Sequence, residues 1–335
     1  MTASLDRVHR DLNFYIGGLF NLRAKAALQA ANITHVLSVL KLPLDEKLFE
    51  GYAHHVVEVD DVDDENLLEH FPATNTFIRE GLEGGGGVLV HCAMGKSRSA
   101  TCAIAYLMHT LHLSPSSALS SIRESRPLCE PNEGFWRQLE VYHSMGAPAS
   151  VEDVPAYQRW VYLQEVALSR ACGQAPEADK IRFEDEHEQQ GGGKAEVEMR
   201  CRKCRRTLAT SHYLTPHTPR LSPSTPISSL KSTPPSSSCQ HHFLDPLSWM
   251  RPTLEAGLLE GRLECPNAKC KANVGKYAWQ GMRCSCGEWV VPAISLAKGK
   301  IDEVKSRTGL AAEGGGGAFG IRMPPGGGGK VGGNL

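Results

Sequence analysis

The sequence predicts an α/β domain over residues 1–150, followed by a small cysteine-rich domain held together by metal. Three observations carry this. Short apolar strands alternate with helical stretches through the first 150 residues. The glycines Gly84 to Gly87 lead into the apolar strand Val88 to Val90, which a turn and a helix follow. Seven of the eleven cysteines lie between Cys201 and Cys286, most of them in closely spaced pairs.

Taken in order, Leu12 to Ile16 reads as a strand, Asn21 to Ala31 as a helix and Ile33 to Leu40 as a second strand. His55 to Val59 is a third strand, and Asn66 to Leu82 is an amphipathic helix. After Val90, helical patterns run from Ser97 to Leu113, Pro115 to Ser125 and Asn132 to Ser144. Residues 151–194 read as a helix and a flexible linker. From Gly173 the composition turns polar and acidic, and it ends in Gly191, Gly192 and Gly193. The cysteine-rich domain occupies 195–308. Its stretch 214–238 is dense in Ser, Thr and Pro, cannot bury a core, and holds five Ser-Pro or Thr-Pro pairs open to phosphorylation or merely solvated. A glycine-rich tail, 309–335, is expected to be disordered like that insertion.

A net charge of -1 excludes a uniformly basic nucleic-acid coat. No apolar run approaches the roughly 18 residues of a membrane span, and the opening MTASLDRVHR lacks an apolar signal core. The expectation is a soluble, intracellular chain without a membrane partner. In a reducing compartment, clustered cysteines signify metal rather than disulfides.

The segment His91, Cys92, Ala93, Met94, Gly95, Lys96, Ser97, Arg98, Ser99 joins a buried strand to a helix. A tight turn there aims successive backbone N–H groups into one concavity beside the positive end of the helix, so Ala93 to Arg98 form a candidate anion site. Gly95 permits the dihedrals of such a turn. The same field favours the thiolate of Cys92 and makes it a nucleophile near neutral pH. Arg98 offers a planar donor fork for two phosphoryl oxygens. The Ser99 hydroxyl can bond the sulfur and ease its departure, and His91 orients the loop. Gly95, Lys96 and Ser97 also match the end of a nucleotide-binding G-x-x-x-x-G-K-S loop, but Val90 stands where that loop needs its first glycine. Cys102 and Cys129 lack such a setting and read as packing residues.

Protonating a leaving oxygen needs a carboxylic acid on a facing loop. Asp60, Asp61, Asp63, Asp64 and Glu65 precede the helix expected at Asn66, where some of them would serve only as helix caps.

In the second domain, Cys265, Cys270, Cys284 and Cys286 supply enough thiolates for one closed tetrahedral zinc site. Cys201 and Cys204 need two further ligands, which Cys239 and His241 offer, with His242 and His212 as substitutes. Two structural zinc ions are expected, and without them the domain should not fold, having little else to bury. Trp249, Trp279 and Trp289 are expected to pack around the metal. From Arg200 to Arg307 there are 17 Lys and Arg against 7 Asp and Glu, a surface suited to RNA, a ribonucleoprotein or an acidic protein.

The first domain resembles the dual-specificity phosphatase family, whose loop has the form H-C-x5-R-S and whose acid sits five residues before an Asn-Leu pair. Asn66 and Leu67 match that pair, which implies Asp61 as the general acid, with Asp60 as the fallback. Phe14 to Gly17 and Ile33 to Val39 resemble the family's opening strands; Arg126, Pro127, Pro131, Asn132, Gly134, Phe135, Gln138 and Leu139 resemble its closing helix. The resemblance implies a cysteine-phosphatase fold, a central mixed sheet flanked by helices. It also implies activity on phosphotyrosine and on phosphoserine or phosphothreonine of proteins, and no catalytic metal. Both halves together are similar to the zinc-binding subfamily, through Cys201-Arg-Lys-Cys204-Arg-Arg, through Cys239 followed by Phe243, Pro246 and Trp249, and through Cys284-Ser-Cys286-Gly-Glu-Trp289. That likeness implies a part in assembly of the large (60S) ribosomal subunit, in the nucleus or cytoplasm. The Ser/Pro insertion and the glycine-rich tail depart from the subfamily.

Overall fold

Alternating apolar residues in the short strands build a sheet buried on both faces. Val36 and Leu89 point to one side with Leu22, Leu28 and Phe49, while Leu37, Val39, Val88 and Val90 point to the other. The computed structural model describes residues 5–187, 195–217 and 239–305. Five strands form this sheet: β1 (Asp6–Arg7), β2 (Phe14–Gly18), β3 (Ile33–Val39), β4 (Ala53–Val57) and β5 (Gly87–Cys92). Their order is β1-β2-β5-β3-β4, all parallel except β1, which pairs antiparallel on the edge. The sheet is therefore mixed, as expected.

A short helix, α1 (Lys25–Ala30), covers one face, and α2 (Phe71–Glu83), α3 (Arg98–Leu111), α4 (Pro115–Ser125) and α5 (Glu133–Ser144) cover the other. α3 is the central helix, and every residue from Arg98 to Met108 is buried. Its alanines, Ala100, Ala103 and Ala105, let it approach the sheet, α2, α4 and α5 closely. Ser114 and Asn132 cap α4 and α5 by accepting from the backbone N–H of Ser117 and Phe135. The helix expected from Asn66 starts later, at Phe71, after a 3-10 turn over Leu68–His70. The N–H groups of Leu67 and Leu68 are bonded to the Gln138 carbonyl oxygen instead.

The next helix, α6 (Pro155–Cys172), bridges the two halves: Tyr157 and Trp160 pack on the first core, Tyr162 and Val166 in the second. The polar stretch after Gly173 is not simply a flexible connector. Ile181 and Phe183 are buried in the second core, Glu184 N–H donates to Pro246 O (3.0 Å), and Asp185 accepts from the N–H and hydroxyl of Ser248. Two apolar residues in a charged run suffice to dock it. The glycines of 188–194, most of the insertion (218–238) and the tail from 306 lie outside the described residues.

Three small sheets make up the C-terminal part. β6 (Val197–Cys201), β7 (Thr207–Thr210) and β14 (Ile301–Lys305) form one; β8 (His241–Phe243), β9 (Glu260–Glu264), β10 (Asn273–Ala278) and β13 (Ala293–Ala297) form the second; β11 (Met282–Arg283) and β12 (Trp289–Val290) form a ribbon. One short helix, α7 (Arg251–Leu254), joins the core. Met250, Leu254, Leu263, Val274, Trp279, Ile294 and Leu296 are fully buried there, so the module buries more than its cysteines, contrary to expectation. Trp279 lies inside, Trp249 donates to Leu208 O (2.7 Å), and Trp289 is half exposed rather than packed.

Candidate active site and metal centres

Strand β5 delivers Cys92 to the C-terminal edge of the parallel strands, and α3 begins six residues later with Arg98. Between them the carbonyls of Ala93 to Lys96 each have a partner outside the loop. Ala93 O accepts from Leu19 N–H (3.1 Å), Met94 O and Gly95 O from the Arg126 guanidinium (2.8 and 2.7 Å), and Lys96 O from Glu130 N–H (2.8 Å). Because each peptide is planar and trans, carbonyls turned outward leave the N–H groups turned inward. Gly95 has φ +68°, and a Cβ there would lie 2.4 Å from Gly17 O, so only glycine fits. Arg126 is thus a loop-holding residue that the spacing of the motif does not disclose; Asp6 in turn pairs with it.

Burial pushes the Cys92 thiol pKa up, but four donors outweigh it and the net direction is down: the Ser99 hydroxyl (3.3 Å) and the N–H groups of Ser99, Lys96 and Gly95. The sulfur is therefore a thiolate at lower pH than a free cysteine. Cys102 and Cys129, by contrast, are held as neutral thiols by burial, Cys129 being pushed up to about 11. Both are packing residues, as expected. His91 is fully buried and its pKa is lowered to about 4 by burial, so it is neutral; its Nε2 shares a hydrogen bond with the Ser38 hydroxyl (2.6 Å). A neutral ring held this way steadies the end of β5.

Arg98 is nearly buried; its Nη1 donates to Val59 O (3.1 Å), whereas its Nε is buried without a hydrogen-bond partner among the described residues. A buried guanidinium donor left open fits an absent anion. Asp61 lies beside it, with Oδ2 3.6 Å from that Nε, and its Oδ1 accepts from Ser97 Oγ (2.6 Å) and Asn132 Nδ2 (3.0 Å). Asp60 instead faces Lys41 at 4.0 Å. Asp63 accepts from Gly134 N–H (3.4 Å) and so caps α5 rather than the helix after Asn66. A Cβ on Gly134 would lie 1.9 Å from Asp63 O, which explains the glycine. Gln138 bonds Glu65 O, Leu67 N and Leu68 N and clamps the acid loop to α5.

A consequence concerns Ser99. Ser99→Ala removes one donor to the thiolate, so the Cys92 pKa rises and the acid limb of the kcat/KM profile moves up by roughly one pH unit. A pH–rate profile on an aryl phosphate checks this, and an unmoved limb would remove Ser99 from the thiolate's support.

The cysteines of the second half group differently from their order in the sequence. Cys201, Cys204, Cys265 and Cys270 form one cluster and His217, Cys239, Cys284 and Cys286 the other, the ligand atoms of each lying within 4.8 Å of one another. The expected set Cys265, Cys270, Cys284, Cys286 is thus corrected. So is the assignment of His241, which stands in β8 opposite Ala297; His242 pairs with Glu303 (2.8 Å) and His212 lies in neither cluster. The reason is topological. Cys265 and Cys270 sit in the β9–β10 turn, which meets the β6–β7 turn carrying Cys201 and Cys204, whereas Cys284 and Cys286 sit in the β11–β12 turn beside Cys239.

Separations of 3.5 Å (Cys204 to Cys265) and 3.8 Å (Cys201 to Cys270) approach the ~3.8 Å edge of a tetrahedron with zinc–sulfur bonds of about 2.3 Å. They far exceed a disulfide bond of about 2.05 Å. His217 Nε2 lies 3.3 Å from Cys239 Sγ, with its ring edge-on to buried Phe243. Both clusters could hold zinc. His217 carries no local signal as a ligand because it stands 22 residues before Cys239, across the insertion.

A buried cysteine thiolate in a loop of inward N–H groups, with an arginine and a facing aspartate, defines a cysteine-dependent phosphatase site. The profile described as dual specificity phosphatase, catalytic domain, matches residues 14–145. The chain is 34% identical to "Tyrosine-protein phosphatase YVH1" of Saccharomyces cerevisiae, over 86% of this chain and 89% of that protein. It is 33% identical to "Tyrosine-protein phosphatase yvh1" of Schizosaccharomyces pombe (88% and 83%) and to "Dual specificity protein phosphatase 12" of Homo sapiens (87% and 86%). The chain belongs to the dual-specificity phosphatase family, among the Yvh1-like members, and is a dual-specificity protein phosphatase.

Proposed function

We propose that the chain hydrolyses phosphotyrosine and phosphoserine or phosphothreonine of proteins through a cysteinyl-phosphate on Cys92, while the zinc module binds a partner. The Cys92 thiolate attacks phosphorus; the phosphorus–oxygen ester bond breaks, and Asp61 gives its proton to the leaving oxygen. Arg98 and the N–H groups of Ala93 to Arg98 hold the phosphoryl oxygens as charge shifts among them. Asp61, now ionised, then takes a proton from the attacking water. The sulfur leaves as a thiolate that the Ser99 hydroxyl supports. The observation that carries this reading is the open, buried Nε donor of Arg98 beside Asp61, in the helix that follows the Cys92 loop.

Two zinc ions, held by Cys201, Cys204, Cys265 and Cys270 and by His217, Cys239, Cys284 and Cys286, would be structural, since thiolate and imidazole fill every position. The first would tie the β6–β7 turn to the β9–β10 turn, and the second would tie the β11–β12 turn to His217 and to Cys239 just before β8. The turns around the first site also carry Arg202, Lys203, Arg205, Arg206, Lys269 and Lys271, all exposed. Such a surface suits RNA phosphates, and supports a second reading: an assembly factor for the large ribosomal subunit that acts through this module, with dispensable catalysis. That role entails work in both nucleus and cytoplasm. No helix among the described residues is long and apolar enough to cross a membrane.

Complementation separates the two readings. In cells that depend on this chain, Cys92→Ser abolishes growth if catalysis carries the role. If the assembly reading holds, Cys92→Ser grows and Cys284→Ser does not.

A further inference from the structure

Seven large apolar side chains in the first 150 residues are well exposed among the described residues, and five of them, Phe20, Leu42, Val62, Met94 and Leu128, lie in the Cys92 loop or in segments tied to it or to one another. Phe20 is 74% and Met94 72% exposed, although isolated side chains of this size usually bury more of themselves. The topology gathers them. Phe20, Leu42, Val62 and Met94 each follow the C-terminal end of a parallel strand, respectively β2, β3, β4 and β5. Hydrogen bonds and one ion pair then fasten their segments to one another. Leu19 N–H donates to Ala93 O beside Met94, and Arg126, two residues before Leu128, donates to Met94 O. Asp61, next to Val62, accepts from Ser97, and Lys41, next to Leu42, faces Asp60.

Three pairs of charges on this rim are already matched, Lys41 with Asp60, Lys96 with Glu130 and Arg126 with Asp6, and the Arg23 guanidinium lies against the Phe20 ring, 5.9 Å from its centre. A charged residue beside the phosphoresidue therefore finds no free partner of opposite sign in these pairs, while an apolar one finds exposed apolar surface to cover. We infer that the substrates are phosphoproteins with bulky apolar residues flanking the phosphorylated residue, and that Phe20 and Leu128 help to select them. This rests on the phosphatase reading above. The substrate itself is the occupant of the rim, because any polypeptide that places its phosphate on Cys92 must lie across these loops.

The test uses phosphopeptides identical except at the two positions on each side of the phosphoresidue, which are Leu and Phe, or Asp and Glu, or Lys and Arg. p-Nitrophenyl phosphate, which has no flanks, is the control. Both the full-length wild type and the double variant Phe20→Ser, Leu128→Ser are assayed, the two side-chain changes being at exposed positions. The apolar peptide should exceed the acidic one in kcat/KM by about tenfold or more. The double variant should lose about tenfold on the apolar peptide, through KM, and less than twofold on p-nitrophenyl phosphate. Equal rates on all three peptides, or a preference for a charged flank, would overturn the inference while hydrolysis of the control left the phosphatase reading standing. A control that is inert with wild type would overturn both.

Discussion

Cys92→Ser should abolish turnover, by at least about 10⁴-fold, because a hydroxyl in the same field remains protonated and leaves poorly once phosphorylated. Asp61→Asn should lose about 10² to 10⁴-fold on an alkyl phosphate such as phosphoserine and much less on p-nitrophenyl phosphate, whose leaving group departs as an anion. The asymmetry follows from position: Asp61 is held beside Arg98 by Ser97 and Asn132, whereas Asp60 is turned to Lys41. Steady-state kinetics on both substrates check it. An equal loss on the two would mean that Asp61 holds Arg98 or Ser97 and donates no proton. Asp60→Asn should keep nearly full activity.

The second large effect concerns metal. Purified protein should carry two zinc ions per chain by elemental analysis, and Cys204→Ser or Cys265→Ser should each lower that to one. The double variants decide the grouping. Cys204→Ser with Cys265→Ser touches one cluster and leaves one ion, whereas Cys265→Ser with Cys284→Ser touches both and leaves none. Grouping by neighbours in the sequence predicts the reverse. Structural zinc is worth roughly 10–16 kcal/mol of binding free energy in small domains, so stripping both ions should lower the Tm of the C-terminal part sharply. Its buried core, which includes Trp279 and Leu263, retains some collapsed structure, and aryl phosphate hydrolysis survives because the strand and helix that carry Cys92 and Arg98 are built on the other core.

What the sequence discloses follows from how local each feature is. The phosphate loop is nine consecutive residues between a strand and a helix, so its chemistry is written in one place. Helices α4 and α5 were legible for the same reason, each opening with its own cap, Ser114 and Asn132. Residues that hold the loop from elsewhere carry no local signal. Arg126 was visible only as part of a resemblance, and Ser38 not at all, since the contact from Ser38 to His91 spans 53 positions. The zinc grouping failed on the same ground: spacing reveals the pairs, but which pairs share an ion is decided by which turns meet. Ile181 and Phe183 were hidden in a run whose average polarity describes a linker.

The central claim is that phosphate passes through the sulfur of Cys92, and trapping that intermediate tests it most directly. Ser99→Ala should slow the second step, so rapid acid quench of this variant with ³²P-labelled phosphopeptide, followed by proteolysis and mass spectrometry, should find phosphate on the peptide bearing Cys92, approaching one per chain. Turnover with no label on Cys92, or with label on another residue, would contradict the account.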